Sequence, residues 1–212
     1  MKFQDSSTAG LADLIAQILP ATLSADLAAP AAHVVARAEA MGLIRLDDGH
    51  IFDHDTLGMA LRELATAGVG RHLMAVEDIT DNPRGALEVL NQAIVASPYP
   101  KTEWASVTDV LGTDLATRMV GISDSSLRRY SSGDRDTPDD VAARLHFLAM
   151  VIADLLGSYN RYGVRRWFVR PRRPLGGKPP AEVLTGGKWE PESAAARMVA
   201  ELAESLTGLG AV

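Results

Sequence analysis

One stretch, residues 114–130, constrains the fold of this chain more than any other: DLATRMVGISDSSLRRY. Met119 and Val120 lie three and four residues after Ala116, which places all three on one face of a helix. Gly121 follows directly, and glycine is the usual residue just past a helix end because it tolerates a left-handed backbone. The pattern therefore predicts a short helix that stops at a glycine turn.

The residues after this glycine predict a second short helix. Ser123 is a favourable N-cap because its hydroxyl can accept a backbone N–H bond, and Leu127 and Tyr130 are spaced to pack inward. Two short helices joined by a tight turn predict a helix-turn-helix, whose second helix presents polar residues to the major groove. From spacing alone, an ordinary pair of core helices is the alternative. The candidate DNA-contacting residues are Ser123, Ser125, Ser126, Arg128 and Arg129.

The distribution of charge bears on this hypothesis more than the total does. The net charge of −6 argues by itself against a nucleic-acid partner. However, residues 1–100 hold 6 Lys and Arg against 13 Asp and Glu, whereas residues 101–212 hold 15 against 14. Phosphate binding depends on local positive charge, so any DNA contact is expected from arginine clusters in the second half.

Composition points to a helical protein of one large or two small domains. The chain has 212 residues, 47% of them hydrophobic and only 5% aromatic, and it is rich in alanine. The absence of cysteine excludes disulfides and thiolate chemistry. No apolar run reaches about 18 residues, and the N-terminus lacks the charged start and apolar block of a signal peptide. We therefore expect a cytoplasmic protein with no membrane span.

In the N-terminal half, apolar patterns predict helices at residues 8–19, about 30–41, 54–67 and about 82–96. Before the third of these, GLIRLDDGHIFD places apolar residues on both sides of an Asp-Gly turn. This is a β-hairpin signal, because Asp-Gly supplies the positive φ of a tight hairpin. A helix followed by a hairpin is also typical of a winged helix-turn-helix. Because this region is acidic and lacks a convincing turn, a structural or dimer-forming unit is favoured.

Four potential metal ligands, His50, Asp53, His54 and Asp55, follow this hairpin. A metal site would need His and carboxylate groups that converge with a supporting second shell. A solvated loop together with a helix N-cap is the favoured interpretation. The sequence also lacks a phosphate-binding glycine loop after a strand and a nucleophile elbow. We therefore expect no enzyme activity, no cofactor and no metal.

The proline-containing segment SPYPK, at residues 97–101, is the best domain boundary. Beyond it, Thr137 as a cap and Pro138 in the first turn predict the start of a helix at 138–159. Its apolar stripe is the longest in the chain and indicates core, or core plus a dimer interface. The predicted fold is mainly α with one β-hairpin. The predicted parts are a helical N-terminal domain (1–98), a helix-turn-helix domain (101–160) and a helical C-terminal segment (161–212).

The C-terminal segment begins with RYGVRRWFVRPRR, which holds six arginines around Trp167 and Phe168. One interpretation is a phosphate-contacting patch, and another is an interface with an acidic partner, for which arginine and tryptophan are common anchors. The third is a solubilising linker over aromatic residues that belong to the core. A glycine turn, a short helix started by Pro179 and Pro180, and a last helix at about 190–206 follow.

Together these features resemble a known bacterial family, the Xre/MbcA/ParS-like antitoxins. The helix-turn-helix resembles the Xre type, and WFVRPRRPLGGKPPAEVLTGG resembles the toxin-binding domain of this family. The resemblance covers roughly residues 101–207. The chain departs from the pattern at Thr117, where the Xre type prefers alanine, and at Asp124, and many family members lack anything like residues 1–100. The residues that the resemblance implies for toxin binding are Trp167, Phe168, Arg170, Pro171, Leu175, Gly176, Gly177, Pro179, Pro180 and Leu184.

The resemblance also implies a function. Antitoxins of this kind pair with RES-domain toxins, which consume NAD, and their C-terminal segment covers or enters the active site of the toxin. Their helix-turn-helix binds the operator of their own operon, usually as a dimer, and represses transcription. The implied partners are a cognate RES-domain toxin, operator DNA and further copies of the chain in a homodimer or higher oligomer. The alternative is a stand-alone transcriptional regulator with an N-terminal sensor or oligomerisation domain.

Overall fold

The computed structural model describes residues 15–16, 24–47, 50, 52–70 and 82–207, and these residues are mainly helical. Residues 15 and 16 are helical, whereas the rest of the predicted helix at 8–19 lies outside the described residues. In chain order the described helices are α1 (Ala25–Ala40), α2 (His54–Ala67), α3 (Pro83–Val95), α4 (Pro100–Leu111), α5 (Thr113–Val120), α6 (Asp124–Ser132), α7 (Asp139–Leu156), α8 (Arg161–Val169), α9 (Pro180–Val183) and α10 (Ala194–Thr207), with a 3-10 turn at Arg173–Leu175.

The predicted β-hairpin at residues 42–53 is wrong, since none of the described residues lies in a β-strand. Gly42 closes α1 with a φ of +72°, and its amide donates to the carbonyl of Glu39 at 2.8 Å. At this turn the chain lies against α4: the Thr102 hydroxyl donates to the carbonyl of Met41 at 2.6 Å, and a Cβ added at Gly42 would lie 2.8 Å from the Thr102 carbonyl oxygen. The apolar alternation that predicted strands therefore belongs to an irregular segment that starts at a contact with a helix. The Asp-Gly turn of that hairpin lies outside the described residues.

Asp53 is the N-cap of α2, which begins at His54. Its carboxylate accepts from the Thr56 amide at 2.8 Å and from the Thr56 hydroxyl at 2.6 Å. The predicted capping role in this acidic cluster is thus confirmed. Within the described ranges, no group of three or more His, Cys, Asp or Glu side chains could hold a metal ion.

The chain divides into two compact units. The first comprises residues 1–35 and 51–97, and the second comprises residues 36–50 and 98–212. Helix α1 therefore contributes residues to both units. The helix-turn-helix stretch and the whole C-terminal segment belong to the second unit, which carries the candidate functional site.

Pro30 lies inside α1, whereas the sequence predicted that this helix would begin near it. Proline has no amide for the helical hydrogen-bond ladder, so it is unusual in a helix interior. Within the first unit, the Asn91 side-chain nitrogen donates to the carbonyls of Pro30 and Leu87, both at 3.0 Å. Because Asn91 is buried, this bond ties α1 to α3 without leaving its amide group unsatisfied.

Helix α7 is the centre of the second unit and packs against α4, α5, α8 and α10. Leu145, Leu148, Ala149 and Leu155 are fully buried, so its apolar stripe is core. No apolar residue of this fully described helix is exposed, although three of them are only half-buried, and the predicted dimer interface stays a prediction. In the described part of the chain no single helix has the length and hydrophobicity to cross a membrane, although α7 and residues 161–175 meet this test together as a bent pair.

The predicted cap of α7 is wrong. Pro138, not Thr137, occupies the N-cap position, and the helix begins at Asp139. The Thr137 hydroxyl instead accepts a hydrogen bond from Nε1 of Trp104 at 3.0 Å. Since Trp104 is buried, this bond satisfies an indole that would otherwise lack a partner. The long-range bond therefore takes the hydroxyl that local capping would have used.

Candidate functional site

Two short helices joined by a glycine turn form the candidate site, as the sequence predicted. Helix α5 ends at Gly121, whose φ is +82° and whose amide donates to the carbonyl of Thr117 at 2.8 Å. Ser123 is the N-cap of α6, where its hydroxyl accepts from the Ser126 amide at 3.2 Å. Thr117, the departure from the Xre pattern, is buried and donates its hydroxyl to the carbonyl of Thr113 at 2.8 Å. A threonine is therefore accommodated here without an unsatisfied polar group.

Helix α6 has one buried face and one polar face. Leu127 and Tyr130 point inward, and the Tyr130 ring lies 6.0 Å from the Trp104 ring in a stacked pair. Ser126 is half-buried, and its hydroxyl accepts from Ser123 at 3.0 Å, so it belongs partly to the cap. The other candidate DNA contacts are exposed at the start and on the outer face of the helix: Ser123, Ser125, Arg128 and Arg129.

The carboxyl end of α5 is closed by residues from elsewhere in the chain. A helix leaves its last four carbonyls without intrahelical partners. Here the first is capped locally by the turn, and three receive donors from α7 and the C-terminal segment. The donors are the Gly186 amide to Arg118 at 3.0 Å, Nε1 of Trp189 to Met119 at 2.9 Å, and Nε of Arg144 to Val120 at 2.9 Å.

The glycine turn of the C-terminal segment also meets the turn of the helix-turn-helix directly. A Cβ added at Gly187 would lie 2.9 Å from the carbonyl oxygen of Val120 and 3.0 Å from Cα of Gly121. A Cβ at Gly121 would lie 2.8 Å from the carbonyl carbon of Gly186. Both positions need glycine, because the two backbones approach more closely than any side chain allows. This contact was not predicted from the sequence, because it joins two turns that are distant in the chain.

Arg144 links α7 to this junction and was not singled out from the sequence. It is buried, and its Nη2 lies 2.6 Å from a carboxylate oxygen of Asp140, one turn earlier in α7. This hydrogen bond lowers the pKa of Asp140. The carboxylate holds the guanidinium with its Nε directed at Val120. An Asp and an Arg four residues apart near a helix start are a visible signal, but they do not show which carbonyl the arginine reaches.

The residues that the resemblance implied for toxin binding divide into a buried and an exposed set. Trp167 and Phe168 are almost fully buried and pack edge-to-face, with their ring centroids 5.2 Å apart. Leu175, Pro180 and Leu184 are also buried, and Pro179 is half-buried. In this structure these side chains form core. Only the remaining four are exposed: Arg170, Pro171, Gly176 and Gly177.

The arginines of residues 161–173 have different surroundings. Arg161 pairs with Asp109 and, at 3.0 Å, with Glu39. Arg165 pairs with Asp114 at 3.3 Å. Arg172 lies 5.0 Å from the Trp167 ring, and burial lowers the pKa of its guanidinium. The others, Arg166, Arg170 and Arg173, are exposed and form no ion pair with any described residue.

A buried ionisable pair lies beneath the helix-turn-helix. Nδ1 of His146 in α7 lies 2.6 Å from Oε1 of Glu103 in α4, and both side chains are buried. The pair joins α4 to α7 through the core and is not exposed to a ligand.

Comparison of the chain with protein-family models, curated proteins and solved structures gave no match.

Proposed function

We propose that this protein is a cytoplasmic antitoxin that binds operator DNA through α6 and neutralises a RES-type, NAD-consuming toxin through its C-terminal segment. It would act as a homodimer or higher oligomer and repress its own operon. The observation that carries the DNA-binding part is the exposed polar face of α6, which follows a left-handed glycine turn and a serine N-cap. This is the arrangement by which a recognition helix enters the major groove.

The side chains on that face have the chemistry for base and phosphate contacts. Arg128 and Arg129 are exposed, and neither forms an ion pair within the described residues. A guanidinium can donate two hydrogen bonds to the O6 and N7 atoms of guanine. Ser123 and Ser125 add hydroxyls at the amino end of the helix, which lies closest to the bases in this mode of binding. Asp124 opposes phosphate there, so the arginines must supply most of the affinity.

The toxin-binding part rests on the resemblance of the C-terminal segment to its family, and the structure narrows which residues can make contact. Because Trp167, Phe168 and Leu184 are buried, they would shape the segment rather than touch a toxin. Contact would fall to the exposed turn formed by Arg170, Pro171, Gly176 and Gly177. This surface is basic and non-helical, as suits an interface better than a catalytic pocket.

The DNA-binding proposal is tested by selection from a random duplex library with the full chain. We expect an enriched motif, and an Arg128→Gln/Arg129→Gln variant should bind it about 10- to 100-fold more weakly and lose preference at one or two positions. The matched control is Arg62→Gln/Arg197→Gln, which removes two exposed charges from α2 and α10. No enrichment by the wild-type chain would contradict the proposal.

Toxin neutralisation is tested with a substitution rather than a truncation. The C-terminal segment donates hydrogen bonds to the last carbonyls of α5, so its removal would also disturb the helix-turn-helix. Gly177→Asn adds a side chain at an exposed position with φ +79° and open space around it. Asparagine tolerates this left-handed conformation, so folding should survive. We expect that this variant no longer protects cells from the cognate RES-domain toxin that they express. Gly133→Asn, with φ +78° and equally open surroundings, is the control and should still protect. Equal protection by both variants would contradict the proposed contact.

One observation favours the stand-alone regulator as a second candidate. The burial of Trp167, Phe168 and Leu184 against the second unit is what a structural lid on the helix-turn-helix would require. In that case residues 1–98 would hold a sensor or oligomerisation domain. A chain that selects a DNA motif but neither binds nor neutralises any RES-domain toxin of its host would establish this alternative.

A further inference from the structure

We infer that an arginine surface on the C-terminal segment, formed by Arg165, Arg166, Arg170 and Arg173, binds the phosphate backbone of the same DNA duplex that α6 reads. This inference rests on the DNA-binding function proposed above and adds a second contact region to it. The arginine surface lies outside the helix-turn-helix in the sequence. Its position, charge and attachment each support the inference.

The first support comes from the position of Arg165 at the start of α5. Arg165 lies at the amino end of α5, where Nη2 is 3.3 Å from Oδ1 of Asp114. A Cβ added at Gly112, the N-cap of α5, would lie 3.0 Å from the Arg165 guanidinium carbon, so the guanidinium lies directly against this N-cap. In helix-turn-helix proteins the first helix crosses the DNA backbone. A backbone that passes the start of α5 therefore passes Arg165.

The length of α5 agrees with this arrangement. The helix has 8 residues. At about 1.5 Å per residue the helix is about 12 Å long, with Arg165 at its start and the turn to α6 at its end. The major groove is also about 12 Å wide. A recognition helix in the groove and a guanidinium at the groove edge can thus meet one duplex together.

The second support comes from the positive charge of the arginine surface. Arg166, Arg170 and Arg173 are exposed and have no carboxylate partner in the described part of the chain. The Arg165–Asp114 pair is largely exposed, so it contributes little and phosphate can displace it. The Arg166 guanidinium lies 5.5 Å from the Tyr162 ring, which holds it in place without neutralising it. Like charges concentrated in this way favour a polyanion.

The third support comes from the packing that joins the arginine surface to the helix-turn-helix. Helix α8, which carries Arg165 and Arg166, packs on α4, and α4 in turn packs on both α5 and α6. The later part of the segment bonds to the end of α5 through Gly186 and Trp189. The arginine surface and the recognition helix are therefore held in one packed unit. DNA that binds one need not reorganise the chain to meet the other.

The test is the salt dependence of binding to the motif that the full chain selects. Each lost phosphate contact makes the negative slope of log K against log salt shallower by about 0.9. An Arg166→Gln/Arg170→Gln/Arg173→Gln variant should therefore lose about two to three units of slope and leave the selected motif unchanged. The control Arg62→Gln/Lys101→Gln/Arg197→Gln removes the same charge from exposed positions elsewhere and should keep nearly the wild-type slope. Circular dichroism and thermal midpoints check that both variants fold.

Equal slopes for the triple variant and its control would overturn the inference. It would also be overturned if the triple variant bound DNA as the wild type does but no longer bound a toxin, because the surface would then serve an acidic protein. The two proposals fail separately. Loss of slope on an unselected duplex, without any motif selection, would leave a phosphate contact by the arginines standing and remove sequence-specific reading, whereas motif selection with an unchanged slope would do the reverse. A wild-type chain that binds no DNA would overturn both.

Discussion

The indole nitrogen Nε1 of Trp189 donates a hydrogen bond to the backbone carbonyl of Met119 at 2.9 Å, across 70 residues of sequence. Met119 lies in the last turn of α5, whose carbonyls would otherwise lack partners. Together with the Gly186 amide on Arg118, this bond makes the C-terminal segment part of the packing of the helix-turn-helix. The candidate DNA-binding site is therefore not complete without residues that a motif search would assign to a separate segment.

Substitution of Trp189 by phenylalanine should destabilise the chain through the lost hydrogen bond. The buried Met119 carbonyl would be left without its donor, which costs about 1–3 kcal/mol. The control is Trp167→Phe, because Nε1 of Trp167 is buried and has no partner among the described residues. Urea unfolding should show a larger loss for Trp189→Phe. A loss that is equal or greater for Trp167→Phe would mean that the bond to Met119 contributes nothing beyond ring volume.

Gly187 and Gly186 offer a matched pair that isolates the close approach of the two turns. Both have a positive φ, of +63° and +81°, so alanine at either should cost about 1–2 kcal/mol for the left-handed backbone. Only at Gly187 would the new Cβ meet backbone atoms; at Gly186 it would meet nothing within 4 Å. We expect Gly187→Ala to lose at least about 1 kcal/mol more than Gly186→Ala.

Thermal unfolding measures this difference, and the DNA affinity of the two variants measures its effect on the site. If the two alanine variants have the same midpoint, the backbone contact between Gly187 and Gly121 does not constrain the turn in solution.

Asp154 gives a prediction about pH. Burial raises the pKa of its carboxyl to about 6, although the nearby Arg37 acts in the opposite direction and Glu204 adds to the increase. The native state therefore binds more protons than the unfolded state between the ordinary value of 3.8 and about 6. In this window the contribution of Asp154 to stability falls as pH rises, by up to about 3 kcal/mol in total.

An Asp154→Asn variant should lack this decline. The difference in unfolding free energy between variant and wild type should therefore grow in favour of the variant from pH 4 to pH 7. Urea unfolding at a series of pH values measures it, with the exposed Asp136→Asn as a control that should run parallel to the wild type. A difference that stays constant across this range would show that Asp154 does not titrate in the predicted way.

The sequence predicted those features that depend on neighbours in the chain. Gly121 as the turn, Ser123 as the cap, and Leu127 and Tyr130 as the inward face all follow from spacing and local backbone preference, and the structure has them. Asp53 as the cap of α2 is of the same kind. Such features can be predicted from the sequence because the interacting residues lie within four positions of each other.

Features that depend on distant partners were missed or misread. The apolar residues after Gly42 suggested strands, but the turn at Met41 and Gly42 is held against α4, and no local pattern contains that helix. Thr137 was predicted as a cap and instead accepts from Trp104. The bonds from Gly186, Trp189 and Arg144 to α5 join residues that only the tertiary fold brings together.

The central claim, that α6 reads DNA, is tested most directly by crosslinking from a single introduced thiol. The chain has no cysteine, so Ser125→Cys labelled with a photoreactive group carries one probe at the proposed groove-facing end of α6. Ser205→Cys, on the exposed face of α10, is the control. Bound to the selected duplex, the Ser125→Cys chain should crosslink to bases within the motif, and the control should not. Equal crosslinking from both positions, or crosslinks from Ser125→Cys only outside the motif, would contradict the claim.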